Sequence, residues 1–267
     1  MNSMPTNPIF SLENKRALIT GGGSGLGLAT ARCMVLSGAE VIITGRREVT
    51  LREAVADLNT GPADGQNGTG KAHYIVNDVS KLDGLEELVD QIDSEFGPID
   101  CLVNNAGINL KKPALDVTDA DFDRIIQTNL SAVFALTRVC ARRMVARRQG
   151  SIIMISSMAA YYGIDRVVAY AASKAGVEGM VRVLASEFSP YNVRVNALAP
   201  GFIKTAMSTA AMNSDPDRRE RALRRTPMGD FGHPDDIGWA AVFLAADAAR
   251  YITGVSLPVD GGNSIGF

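Results

Sequence analysis

Seven short apolar runs, each four or five residues long and each followed by a stretch with helical patterning, constrain this chain more than any other feature. They fall at residues 17–20, 41–44, 72–76, 101–104, 151–155, 194–198 and 256–259. Runs this short and this continuously apolar read as strands buried on both faces. Alternation with helices gives an α/β fold, a doubly wound parallel sheet with helices on both sides. In such a sheet ligands bind beyond the carboxyl ends of the strands. With 267 residues and 46% hydrophobic content the chain can bury a full core as one domain over residues 1–267. Residues 1–9 read as a flexible tail, and the polar, glycine-rich stretch 61–70 as a mobile surface insertion.

The first run leads into Gly21-Gly22-Gly23-Ser24-Gly25-Leu26-Gly27, and helix-forming residues follow to Ser37. Strand, glycine loop and helix in that order form the context of a dinucleotide phosphate site. Glycines let the backbone approach a pyrophosphate, whose charge is met by the helix N-terminus.

At the other end of the argument stands Tyr170-Ala171-Ala172-Ser173-Lys174. Positions i and i+4 share a helix face, so the lysine charge can sit beside the phenol. At about 4 Å and an effective dielectric near 20 that charge is worth about 4 kcal/mol to a tyrosinate. The expectation is a tyrosine pKa drawn from about 10 toward about 7 and proton transfer at physiological pH.

Further motifs keep company with these: Asn104-Asn105-Ala106-Gly107 after the fourth strand, Asn129 before Leu130, Ser157 thirteen positions ahead of Tyr170, Pro200-Gly201 with Thr205, and Asp260-Gly261-Gly262. In order and spacing the chain resembles the short-chain dehydrogenase/reductase family from about Phe10 to Phe267. The resemblance implies a single-domain Rossmann-type fold and hydride transfer between a nicotinamide and a carbonyl or secondary alcohol. It makes Tyr170 the general acid or base, and Lys174 the group that lowers its pKa and holds the ribose hydroxyls. Ser157 would bond the substrate oxygen, and Asn129 would position a water linking Lys174 to solvent. The implied cofactor contacts are Gly21, Ser24, Gly25, Leu26, Gly27, Asn105, Ala106, Gly107, Pro200, Gly201, Ile203 and Thr205, with Tyr170 and Lys174. Asp78-Val79 matches the pair lining the adenine pocket. An intact set of four reactive residues disfavours a non-catalytic dinucleotide-binding regulator or a purely structural subunit.

The family's NAD enzymes end the second strand with an acid that grips the ribose 2′-hydroxyl. Here Gly45-Arg46-Arg47 follows instead. Guanidinium groups bind a 2′-phosphate in two-pronged fashion, so NADP is the expected cofactor, with NAD possible.

Composition excludes other classes. A net charge of −2 argues against general nucleic-acid binding. No run approaches the roughly 18 apolar residues of a membrane span, and residues 1–8 lack a signal-peptide core. Cys33, Cys101 and Cys140 are scattered among apolar neighbours and read as reduced thiols of a cytoplasmic protein. With only His73 and His233, neither a zinc site nor a histidine triad is credible, and no metal is expected.

Helical stretches 119–149 and 165–191 carry apolar stripes on more than one face, the second with small residues Ala171, Ala172, Ala175, Gly176 and Gly179. In the family the equivalent helices pair across a two-fold axis and the last strand and tail build a second interface, which implies a homotetramer. Residues 202–227 fall where the family keeps a substrate lid. This segment bears Arg218, Arg219, Arg221, Arg224 and Arg225 against Asp215, Asp217 and Glu220, while Lys111 and Lys112 border the same pocket. Two basic elements favour a small anionic substrate. Phe10-Ser11-Leu12-Glu13, Arg225-Thr226-Pro227 and Phe231-Gly232-His233-Pro234 resemble the branch of gluconate 5-dehydrogenase and other sugar-acid dehydrogenases, apart from Asn14, where that branch has glycine. A 3-oxoacyl-[acyl-carrier-protein] reductase shares every reactive motif and is the main alternative.

Overall fold

The computed structural model describes residues 8–60, 70–205 and 215–266. All seven expected strands are present, some longer by one to three residues: β1 (Arg16–Thr20), β2 (Glu40–Gly45), β3 (Lys71–Val76), β4 (Cys101–Asn104), β5 (Gly150–Ile155), β6 (Val193–Pro200) and β7 (Ser256–Val259). Among the described residues they form one parallel sheet in the order β3-β2-β1-β4-β5-β6-β7. The order reverses between β1 and β4, which opens a crevice at the carboxyl ends of those strands.

Among the described residues there are eight α-helices: α1 (Gly25–Leu36), α2 (Glu48–Asn59), α3 (Leu85–Glu95), α4 (Asp119–Ile126), α5 (Ala132–Arg147), α6 (Val168–Phe188), α7 (Pro216–Arg224) and α8 (Pro234–Ala245). Neighbouring strand residues point to opposite faces, so each pair feeds two separate cores. Ile19, Ile43 and Ile153 pack with Met34 of α1 and Ile237 and Leu244 of α8. Leu18, Ile42 and Ile152 pack with Ile92 of α3, Leu136 of α5 and Val181 of α6. All are buried, which is why these runs carry no polar face.

The continuous helix expected over 119–149 is instead interrupted. Thr118 caps α4 by accepting a hydrogen bond from Asp121 N at 3.1 Å, α4 ends at Ile126, and a π turn spans Gln127–Ser131 before α5 resumes. Apolar periodicity does not register one inserted residue, so the break was hidden. The stretch 165–191 resolves into α6 and a 3₁₀ turn, Ser189–Tyr191. Asn14 adopts φ 62°, a left-handed conformation that asparagine tolerates and glycine enters freely, which accounts for the departure noted there. Of the expected tail, residues 1–7 lie outside the described residues and Pro8–Phe10 form a 3₁₀ turn. Of the 61–70 insertion only Gly70 is described.

Sheet closure at β7 depends on one buried amide. Asn196 in β6 donates to Ile252 O at 3.0 Å and accepts from Val255 N at 3.2 Å. Removing it strands Val255 N and leaves Ile252 O only a long contact from Arg194 at 3.5 Å. Asn196→Ala is expected to cost about 2–4 kcal/mol, read as a lower midpoint in urea denaturation. A change below about 0.5 kcal/mol would show that water replaces both bonds.

Candidate active site

The crevice is built first of backbone. The Thr20 hydroxyl, at the end of β1, accepts from Asn105 N at 3.1 Å and Ala106 N at 3.0 Å. The Asn105 amide returns the contact, donating to Thr20 O at 2.9 Å and Gly21 O at 3.1 Å. Asn104, buried, donates to the Thr137 hydroxyl on α5 at 2.9 Å. The glycine loop is thus fastened to the chain leaving β4. A side chain at Gly27 would run into the Gly21 carbonyl and 2.5 Å from Asn105 Nδ2. Ser24 precedes α1 with no side-chain capping bond and no acid lies in the first turn, so the first amides of α1 stay available. A side chain at Gly25 would meet Thr205 at 3.9 Å across the crevice. Pro200 closes β6, Gly201 packs against the Asp260 backbone, and Ile203 bridges to Gly232. An open cradle of uncapped amides between glycines suits a phosphate group.

The reactive side chains gather beside it. Ser157 follows β5 and its hydroxyl accepts from Ala159 N at 3.2 Å. Of the adjacent serines it is Ser157 whose hydroxyl acts on the Tyr170 phenol, drawing its pKa down, whereas Ser156 is buried and its hydroxyl has no protein partner. Tyr170 and Lys174 lie one turn apart on α6, with Lys174 Nζ 5.6 Å from the Tyr170 ring centre. Lys174 is only 4% exposed and donates to Ile155 O at 2.7 Å.

Here the electrostatic expectation is corrected. Burial pushes the Tyr170 phenol above its ordinary value, and the bond from Ser157 only partly opposes it. Burial also draws the Lys174 ammonium down to about 8. The lysine aims its proton at a backbone carbonyl, and both groups lose water, so desolvation outweighs attraction. A phenol beside a hydroxyl, with a buried ammonium one turn on, is still an array for moving a proton.

Asn129 lies in the π turn, fully buried. Its amide accepts from Ile108 N and donates to Ile108 O, each at 2.8 Å, and donates to Ser173 Oγ at 3.3 Å. Ser173 in turn donates to Tyr170 O at 2.7 Å. The Asn129 side chain is therefore engaged by Ile108 and Ser173. Gly107 lies alongside, where a side chain would stand 3.3 Å from Asn129 Oδ1 and 3.8 Å from Lys174 Nζ. Sequence reasoning missed Ser173 as a link, because a serine inside Tyr-x-x-x-Lys looks like filler.

At the far end, Arg46 and Arg47 follow β2, their side chains exposed and in no ion pair among the described residues. Asp78 accepts from Ser80 N at 3.1 Å and Ser80 Oγ at 2.7 Å. Burial raises its pKa, but these bonds and the nearby Arg46 charge bring the net value below the usual range. Val79 is half-buried beside it.

Of the expected lid 202–227, residues 206–214 lie outside the described residues, and α7 spans Pro216–Arg224. Lys111 and Lys112, expected to face an anion, are already paired, with Asp215 at 3.1 Å and Asp121 at 2.9 Å. Arg224 pairs with Glu220, and Arg219 lies over Phe231.

A family model described as enoyl-(acyl carrier protein) reductase matches residues 21–264. The 3-oxoacyl-[acyl-carrier-protein] reductase of Thermotoga maritima is 39% identical over 252 residues, 94% of this chain and 98% of its own. The 2-dehydro-3-deoxy-D-gluconate 5-dehydrogenase of Pseudoalteromonas atlantica is 40% identical over 253 residues, 95% of this chain and 97% of its own. The crystal structure of a gluconate 5-dehydrogenase from Burkholderia cenocepacia in complex with NADP and tartrate matches with a TM-score of 0.89 at 32% identity, covering 97% of this chain and 99% of that one.

Two outcomes follow from the geometry. Thr20→Val keeps shape but strands the Ala106 amide and leaves Asn105 N only its bond to Val103 O, and is expected to cost about 1–3 kcal/mol in urea denaturation. Lys174 has a folded value near 8 against the ordinary 10.5, so the unfolded chain holds the extra proton between those limits and stability rises with pH across them. Relative to Lys174→Met, the wild type should gain about 3 kcal/mol over that window. A difference that stays flat with pH would mean the ammonium is not desolvated.

Proposed function

The chain belongs to the short-chain dehydrogenase/reductase family, and from that membership we propose that it is an NADP-dependent oxidoreductase interconverting a secondary alcohol and a ketone on a small polar, carboxylate-bearing sugar derivative. The observation that carries the reading is the gathering of Ser157, whose hydroxyl acts on the Tyr170 phenol, with Tyr170 and buried Lys174 one turn on, set beside a glycine cradle at the sheet's crevice. The whole chain, in this reading, acts as one dinucleotide-binding and catalytic domain, and its buried, unpaired cysteines suit a cytoplasmic setting.

The glycine loop and the amides of α1 would hold the pyrophosphate, and the exposed side chains of Arg46 and Arg47, in no ion pair within 4 Å among the described residues, the 2′-phosphate. When bound, the nicotinamide supplies or accepts the hydride. Tyr170 gives its proton to the carbonyl oxygen in reduction and takes it back in oxidation, with Ser157 bonding the same oxygen as charge develops. Because burial raises the Tyr170 pKa, the phenol stays protonated through neutral pH, which suits reduction. Oxidation needs the phenolate and gains rate as pH rises. Lys174 holds the ribose and passes the proton outward toward the Asn129 turn. A relative complexed with NADP and tartrate, a polyhydroxy dicarboxylate, supports both the cofactor and the anionic substrate.

The second reading, reduction of a 3-oxoacyl thioester, is favoured by the Thermotoga relative. A homotetramer is supported by apolar side chains left exposed on two separate faces, Phe134 and Val183 on α5 and α6, and Trp239 and Val255 on α8 and just before β7. Sedimentation at micromolar concentration tests it, and a monomer would refute it.

A panel of gluconate, other aldonates, acetoacetyl thioesters and neutral cyclic ketones, assayed with NADP(H) and NAD(H) in both directions, decides among these. Preference for aldonates with NADP is expected, and strong preference for the thioester would remove the sugar-acid reading. Tyr170→Phe is expected to lower kcat by about 10²–10⁴-fold. Arg46→Asp should shift cofactor preference toward NAD, and unchanged preference would refute the role of that arginine.

A further inference from the structure

Resting on the proposed anionic substrate, we infer that Arg225 is the specificity-determining cation that receives the substrate carboxylate. The other described lid and loop cations are spent or fully exposed. Lys111, Lys112 and Arg224 each sit within ion-pair distance of an acid, and a cation so neutralised has little left for a second anion. Arg219 and Arg221 are exposed on α7.

Arg225 differs. It is half-buried just after α7, and among the described residues no carboxylate lies within ion-pair distance of it. Its guanidinium carbon lies over the Tyr162 ring, 3.9 Å from the ring centre, and its Nε donates to Asn263 O at 3.0 Å. The Tyr162 hydroxyl donates to Asn263 Oδ1, and Asn263, fully buried, donates to Thr226 Oγ1 at 3.0 Å. Ring, amide and backbone carbonyl thus hold the guanidinium in place. A planar fork held in one orientation meets a carboxylate at little entropic cost.

The location suits the task. Tyr162 lies on the loop between Ser157 and Tyr170. Asn263 follows Asp260, whose backbone packs on Gly201 at the end of β6. The cluster therefore stands past the carboxyl ends of β5, β6 and β7, at the same end of the sheet as the reactive residues. A half-buried cation without an acid is an uncompensated charge, and an entering carboxylate supplies the missing partner.

Calorimetric titration of the NADP-loaded enzyme with tartrate tests this, alongside gluconate kinetics. Arg225→Met keeps the stem on Tyr162 and is expected to weaken tartrate binding and raise the gluconate KM by about 10- to 150-fold. The Kd for NADP and the kcat should change by less than about three-fold, since a remote anchor binds ground and transition states alike. Arg225→Lys keeps charge but loses the fork, and should recover part of the affinity. If Arg225→Met does not fold, Arg225→Lys decides alone: tartrate affinity reduced at least five-fold with NADP affinity intact supports the assignment, and no reduction overturns it. Loss of NADP and tartrate binding in equal measure would mark Arg225 as merely structural and overturn it too. Wild-type enzyme that binds tartrate, with variants that bind it equally, sinks the Arg225 assignment alone. A wild type that neither binds nor turns over any carboxylate sinks the anionic-substrate reading with it.

Discussion

A single hydroxyl at the end of β1 holds two chain exits together. Thr20 faces β4, accepts the amides of Asn105 and Ala106, and so fixes how the glycine loop sits against the 104–107 segment. Parallel strands leave their last carbonyls and the following amides without ladder partners, and at a switch point there is no third strand to take them. The Thr20–Asn105 exchange closes that deficit with four hydrogen bonds. Gly107 and Ile108, which continue from this joint, then reach Asn129, and Asn129 reaches Ser173 and the backbone of Tyr170. Phosphate cradle and proton-transfer array are thereby two ends of one hydrogen-bonded frame.

Burial governs the chemistry as much as it governs the fold. The carboxyl end of β5 and the first turns of α6 are packed tightly enough that a lysine there is nearly inaccessible. Its affinity for a proton falls, and that of the neighbouring phenol for its own proton rises. Simple attraction between the two groups would have given the opposite sign for tyrosine. Burial therefore pulls the proton affinities of the two groups apart, and a bound ligand that restores charge balance is what would bring them together for a proton to pass.

Much of this was legible in the sequence. Strand runs, their parallel pairing and the switch-point crevice follow from seven apolar segments, because period and length report burial directly. The glycine loop and the Tyr170–Lys174 spacing were readable for the same reason, since each demands one local geometry. What escaped reading depends on where side chains end. The pairing of Lys111 with Asp215 spans 104 positions, and the stacking of Arg225 on Tyr162 joins the lid exit to the loop after β5. The sign of the Tyr170 shift depends on desolvation, which spacing on a helix does not report.

The π turn at Gln127–Ser131 also sets a phase. Because its turn holds one residue more than an α-helical turn, the faces of α4 and α5 are offset from those of an unbroken helix. Deleting one residue between 127 and 131 would let the two helices anneal into a smooth cylinder, better hydrogen-bonded and worse aligned. Asn129 would swing by about a quarter turn, away from Ile108, while Leu136 and the rest of α5 kept their places in the core. The irregularity therefore acts as a spacer in rotation rather than in length, letting one helix serve a packed core and a reactive site that require different angular settings.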